Sequence, residues 1–120
     1  MSSKIDATDK RIIYVLHVYG KSMPYKKLHR VIKELKDMGV RFNIRYPEGS
    51  TISSDLEQRL RALIEKGYIK ELYIAGSTYT TLYMALYKLT EKGESVIEKI
   101  DIDKKDMQKI DKYFSSKETK

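Results

Sequence analysis

Cysteine and tryptophan are absent from this chain, and proline and phenylalanine each occur only twice. Without cysteine there are no disulfides and no thiolate metal sites, which suits a reducing compartment. No stretch approaches the roughly 18 consecutive apolar residues of a membrane helix. Residues 1–6 also lack the apolar run of a signal peptide, so a cytoplasmic location and no membrane partner are expected. Only two histidines occur, His17 and His29. Neither has a clustered carboxylate beside it, so both read as structural or surface residues and no metal is expected. Asp101, Asp103 and Asp106 resemble the start of a calcium loop, but the glycine at its sixth position and the glutamate at its twelfth are missing. Gly49-Ser50-Thr51 lacks the lysine of a phosphate loop. With no nucleophile–base set either, the expectation is a protein without catalytic activity or cofactor.

What is present is charge. The chain has 120 residues, enough for one domain with a single modest core. Charged residues make up 34% and the formal net charge is +7. Lysine, glutamate, isoleucine and tyrosine abound while cysteine and tryptophan are lacking, a balance that fits a thermophilic source. Most of the excess charge sits in residues 21–46. There Lys21, Lys26, Lys27, Arg30, Lys33, Lys36, Arg41 and Arg45 face only Glu34 and Asp37, a local +6. Two readings are open: a solvated lysine-rich helix face, or a patch that faces a polyanion.

Apolar spacing predicts a first helix from Thr8 or Asp9, either able to cap it, to Tyr19, stopped by Gly20. Ser22 is placed to cap a second helix with Pro24 in its first turn. Its buried stripe would be Tyr25, Leu28, Val31, Ile32, Leu35 and Met38, and Gly39 would end it. Residues 40–46 alternate apolar and polar side chains and predict a short strand. A third helix over 53–66 would be capped by Ser53 or Ser54, with Glu57 completing a capping box from Ser54. Residues 68–75 and 82–89 predict a hairpin with a six-residue, hydroxyl-rich tip. A fourth helix follows from Thr90 to Ile100. A C-terminal helix over about 103–115, capped by Asp103, precedes a tail over 116–120 that is expected to be disordered.

The run Leu56-Glu57-Gln58-Arg59-Leu60-Arg61-Ala62-Leu63-Ile64-Glu65-Lys66-Gly67, followed by Tyr68-Ile69 and later by Leu89-Thr90-Glu91-Lys92-Gly93, resembles the winged helix-turn-helix superfamily. The likeness covers about residues 7–100 and is to small bacterial and archaeal DNA-binding regulators. It implies an α+β fold: a three-helix core with a short strand, a β-hairpin wing and a C-terminal helix. It also implies double-stranded DNA as the partner of a transcription regulator or architectural factor. The third helix would lie in the major groove through Ser53, Ser54, Gln58 and Arg61, with Ser77, Thr78, Tyr79 and Thr80 at the wing tip. Lys26, Lys27, Arg30, Lys33, Arg41 and Arg45 would contact phosphates.

Two features depart from that pattern. The third helix sets Arg59, Arg61 and Lys66 against Asp55, Glu57 and Glu65, so it is electrically neutral, whereas DNA readers draw affinity from phosphate neutralisation. The hairpin is apolar on both faces, where a solvated wing should be polar on one. That second feature predicts a homodimer through Tyr83, Tyr87, Met107, Ile110 and Phe114. Together they leave open an alternative, a winged-helix protein-interaction module in a replication, transcription or toxin–antitoxin complex. RNA is a third possible partner.

Overall fold

A computed structural model describes residues 5–78 and 81–117, with side chains over 5–74 and 84–115. The described residues form an α+β fold of five helices and a three-stranded antiparallel sheet.

The first helix, α1 (Ala7–Tyr19), begins earlier than its apolar spacing predicts. Asp6, not Thr8 or Asp9, is its cap. The Asp9 N–H donates to the Asp6 carboxylate at 2.9 Å, and the Asp9 carboxylate accepts from the Asp6 N–H at 3.3 Å. Asp6-x-x-Asp9 is thus a capping box with aspartate in both places. Gly20 ends the helix in the left-handed conformation, φ 81°.

Strand β1 (Met23–Pro24) replaces the expected Ser22 cap. Met23 and Pro24 are extended and pair with Tyr87 and Leu86. Proline is tolerated here because β1 lies at the sheet's edge. The next helix, α2 (Tyr25–Asp37), starts directly after Pro24 and has no side-chain cap. Leu28, Val31, Ile32 and Leu35 are buried as predicted, but Met38 is 44% exposed.

Residues 40–46 are not a strand. Their alternation is nevertheless expressed, with Val40, Phe42 and Ile44 buried and Arg41, Asn43 and Arg45 exposed. Among the described residues no strand pairs with it, and side chains satisfy part of its backbone instead. The Asn43 N–H donates to Thr8 Oγ1 and the Arg45 N–H to the Asp55 carboxylate. The segment lengthens the link between α2 and α3 (Ser54–Glu65) beyond the three or four residues of a compact helix-turn-helix. Ser53 is the cap of α3. Its hydroxyl accepts from the Leu56 N–H and donates to the Arg45 carbonyl, and no capping box forms between Ser54 and Glu57.

The hairpin of β2 (Ile69–Thr78) and β3 (Thr81–Leu89) is longer than its sequence pattern predicts, and β3 is the central strand in the order β1-β3-β2. Thr90 caps α4 (Glu91–Ile97), which ends short of Ile100. A Cβ on Gly93 would lie 2.2 Å from the Tyr68 carbonyl oxygen, so glycine is what lets α4 close on the start of the hairpin.

The last helix, α5 (Lys104–Lys117), follows Asp103, whose carboxylate accepts from the Lys105 N–H at 2.7 Å. It runs through residues 116–117, which were expected to be disordered; 118–120 lie outside the described residues. It packs on α1 and α2. Ile102, Ile110, Tyr113 and Phe114 join the same core cluster as Ile12, Ile32, Leu60 and Ile69.

Candidate nucleic-acid interface

Four of the basic side chains predicted to face a polyanion are spoken for by carboxylates of the same chain. Arg41 reaches Asp103 at 2.7 Å and Asp106 at 3.4 Å, drawn there by the docking of α5. Arg45 sits 3.1 Å from Asp55. On α2, Lys33 lies 3.3 Å from Asp37 and Arg30 lies 3.9 Å from Glu34, both one helical turn apart. Glu34 and Asp37 already enter the local +6, so only the pairs made by Arg41 and Arg45, with acids outside the segment, lower the field it projects.

What concentrates positive character is the junction of α1 and α2. Lys26 is exposed in the first turn of α2. Lys21 and Lys27 place their ammonium groups 5.5 and 4.7 Å from the centre of the Tyr19 ring. The first turn of α2 holds no acidic residue and no side-chain cap, so the positive end of the helix dipole adds to the charge of Lys26 and Lys27 in that turn.

Side-chain contacts join this junction to α3 and the hairpin. The Tyr25 hydroxyl, on the first residue of α2, donates to the Glu57 carboxylate at 2.5 Å. Burial, with that carboxylate beside it, pushes the phenol up to about 12. The Tyr25 ring stands 6.5 Å from that of Tyr87 on β3. Arg61 of α3 forms an ion pair with Glu71 of β2. Tyr87 is also pushed up to about 12, by burial first and then by Glu71. The start of α2, one face of α3 and the base of the hairpin thus form one continuous surface.

Ser54, Gln58 and Arg61 are exposed on α3, but Ser53 is fully buried as the helix cap and cannot reach a ligand. Ser77 and Thr78 end β2, with side chains outside the described residues; Tyr79 and Thr80 lie outside them entirely, as does the Tyr83 side chain. The dimer residues expected from the sequence need correction. Tyr87, Ile110 and Phe114 are buried within the chain's own core and Met107 packs against it, so they offer a second copy almost nothing.

Beside α3 lies an open groove of about 590 Å³, lined by residues that include Asn43, Arg45, Asp55, Gln58 and Arg59. Arg59 bridges Asp6 and Asp9, each at 2.9 Å, and Arg45 holds Asp55. Its charges are therefore matched internally, which leaves the amides of Asn43 and Gln58 as the exposed groups suited to recognition. Asn43, Tyr25, Glu57 and Glu71 were not among the site residues expected from sequence. Their partners lie 10 to 35 positions away in the chain, and only the fold brings them together.

Among the described residues no three histidine, aspartate or glutamate side chains converge as a metal site. No described helix is long and apolar enough to cross a membrane. Comparison with known proteins returns no match, whether to family models, curated proteins or solved structures.

Proposed function

We propose that this chain is a non-catalytic winged-helix protein that binds double-stranded DNA, as a regulator or architectural factor. The order α1-β1-α2-α3-β2-β3 with sheet order β1-β3-β2 is compatible with a winged-helix layout. The observation that carries the reading is the cluster of Lys21, Lys26 and Lys27 at the uncapped start of α2, tied through Tyr25 and Glu57 to the outward face of α3. In this reading the lysines and the helix N-terminus hold phosphates. Gln58 on α3 is the side chain best placed to read a base edge, through the adenine pairing its amide geometry suits. Arg41 and Arg45 are engaged by carboxylates, which a phosphate has to displace before either can contact it.

Fluorescence anisotropy of a labelled random-sequence duplex, titrated over a range of salt, tests this. Three lysine–phosphate contacts predict a log–log slope of about −3. Lys21→Glu with Lys26→Glu should flatten the slope to about −1 and weaken binding more than tenfold at about 50 mM salt, with far-UV circular dichroism unchanged. No binding by the wild type at low salt overturns the reading and leaves the lysine cluster as a protein-docking surface.

A further inference from the structure

The described residues include five exposed large apolar side chains, and four lie on the hairpin: Leu72, Tyr73, Ile74 and Met84. Three are consecutive on β2, the outermost strand of its side of the sheet. Because successive side chains on a strand point to opposite faces, Tyr73 projects from one face while Leu72 and Ile74 project from the other. A partner lying on either face would cover only part of this set. An added strand along the β2 edge lies beside both faces at once and satisfies the row of unpaired backbone groups there.

We propose that β2 pairs antiparallel with β2 of a second copy of this chain, joining two three-stranded sheets into one of six. The occupant is a second copy because the strand complements itself. In a two-fold antiparallel register centred on Tyr73, Leu72 lies opposite Ile74 of the copy in both directions and Tyr73 lies opposite Tyr73, so apolar meets apolar at each position. Centring one pair earlier sets Glu71 against Tyr73 and Lys70 against Ile74, which mismatches charge with apolar surface. The edge also lacks the proline by which natural edge strands avoid such pairing; over residues 71–74 its only charge is Glu71, turned inward and neutralised by Arg61.

The area sets the strength. Tyr73 is 62% exposed, Ile74 51%, Met84 43% and Leu72 37%. At ~150–200 Å² for each fully exposed side chain of this size, the copies remove at most roughly 700 Å² of apolar side-chain surface from water between them. Backbone along the paired edge brings the total to around 1,000 Å², the small end of specific interfaces. A reversible, concentration-dependent dimer is expected.

Sedimentation velocity of the full chain over about 1–500 µM tests this. The wild type should shift from monomer to dimer across that range, and the shift should strengthen with salt, since two chains of charge +7 repel. Tyr73→Glu and Ile74→Lys should each weaken the association by about 100-fold or more. Both positions are exposed, so far-UV circular dichroism should be unchanged; hydrogen exchange of β2 amides that slows with wild-type concentration gives a second readout. A wild type that stays monomeric throughout overturns the proposal, as do variants that dimerise like the wild type. The DNA reading fails separately, because that binding weakens with salt where self-association strengthens.

Discussion

His29 sits at the seam between α2 and α3 with none of its surface exposed. Its Nδ1 accepts a hydrogen bond from the Ser53 N–H at 3.1 Å, which requires the ring to be neutral. The Tyr25 ring covers it at 4.5 Å, and its Nε2 has no hydrogen-bond partner among the described residues. Burial holds its pKa below the ordinary histidine value, with Glu57 opposing in part. Below about pH 6.5 the unfolded chain therefore binds a proton that the folded chain resists, so this group's contribution is intact above that pH and falls away as the pH drops. The loss approaches 1.4 kcal/mol for each further pH unit. Urea unfolding at pH 7.5 and 5.5 should show about 1 kcal/mol more acid destabilisation for the wild type than for His29→Asn, whose amide oxygen can keep the Ser53 bond. Equal acid sensitivity in the two proteins would show that the ring charges without cost. Little of this was legible beforehand: a histidine on a helix edge gives no sign of which residue, 24 positions on, will donate to it.

At the scale of elements, the helices were readable and their joints were not. Apolar spacing located all five helices, because burying a stripe against one core imposes the 3.6-residue period whatever the tertiary detail. The same logic found the inward residues of 40–46 but misnamed the element, since alternation reports which side is buried and not whether a strand lies alongside. β1 is only two residues long, too short for any period, although the extended bias of a residue before proline was present in Met23-Pro24. The docking of α5 shows what sequence alone could not assign. Asp106, almost fully buried in its first turn, accepts from Arg11 Nε at 2.8 Å, and Arg11 is buried too. Tyr14 donates to Asp111 at 2.7 Å, and Tyr113 donates to Glu34. Asp106→Asn removes the charge that matches a buried guanidinium and should cost about 3–5 kcal/mol in chemical denaturation. Arg11→Met with Asp106→Leu should recover most of that, because two apolar residues need no matching. A double variant as unstable as the single one would mean the cost lies in packing rather than in an orphaned charge.

For the whole molecule, the quantity read most directly from sequence was net charge, and it was the most misleading. A formal +7 with a local +6 suggested a broad basic patch; folding matches Arg41 and Arg45 with acids from outside that segment, which shifts the weight of the patch to the lysines at the start of α2. Composition counts charges, whereas the field at a surface depends on which of them have been matched across the fold. Arg61 is the position where that distinction can be tested. On the proposed DNA surface it is exposed enough to meet a phosphate or a guanine edge, yet it is engaged by Glu71 from the base of the hairpin. The hydrogen bond that Arg61 donates to Glu71 outweighs the partial burial of Arg61 itself and keeps the guanidinium's pKa above its ordinary value. A bound duplex has to compete with Glu71 for this side chain, and the carboxylate also repels phosphates nearby. Glu71→Gln leaves a group of the same shape that no longer holds Arg61 as an ion pair. It should raise duplex affinity by roughly three- to tenfold at low salt and steepen the salt slope by about one unit, as a further cation becomes available. The added Arg61→Ala should abolish both effects. An unchanged slope in Glu71→Gln would place Arg61 outside the contact surface and confine DNA to the lysine cluster, whereas a steeper one would make the Arg61–Glu71 pair a built-in brake on binding.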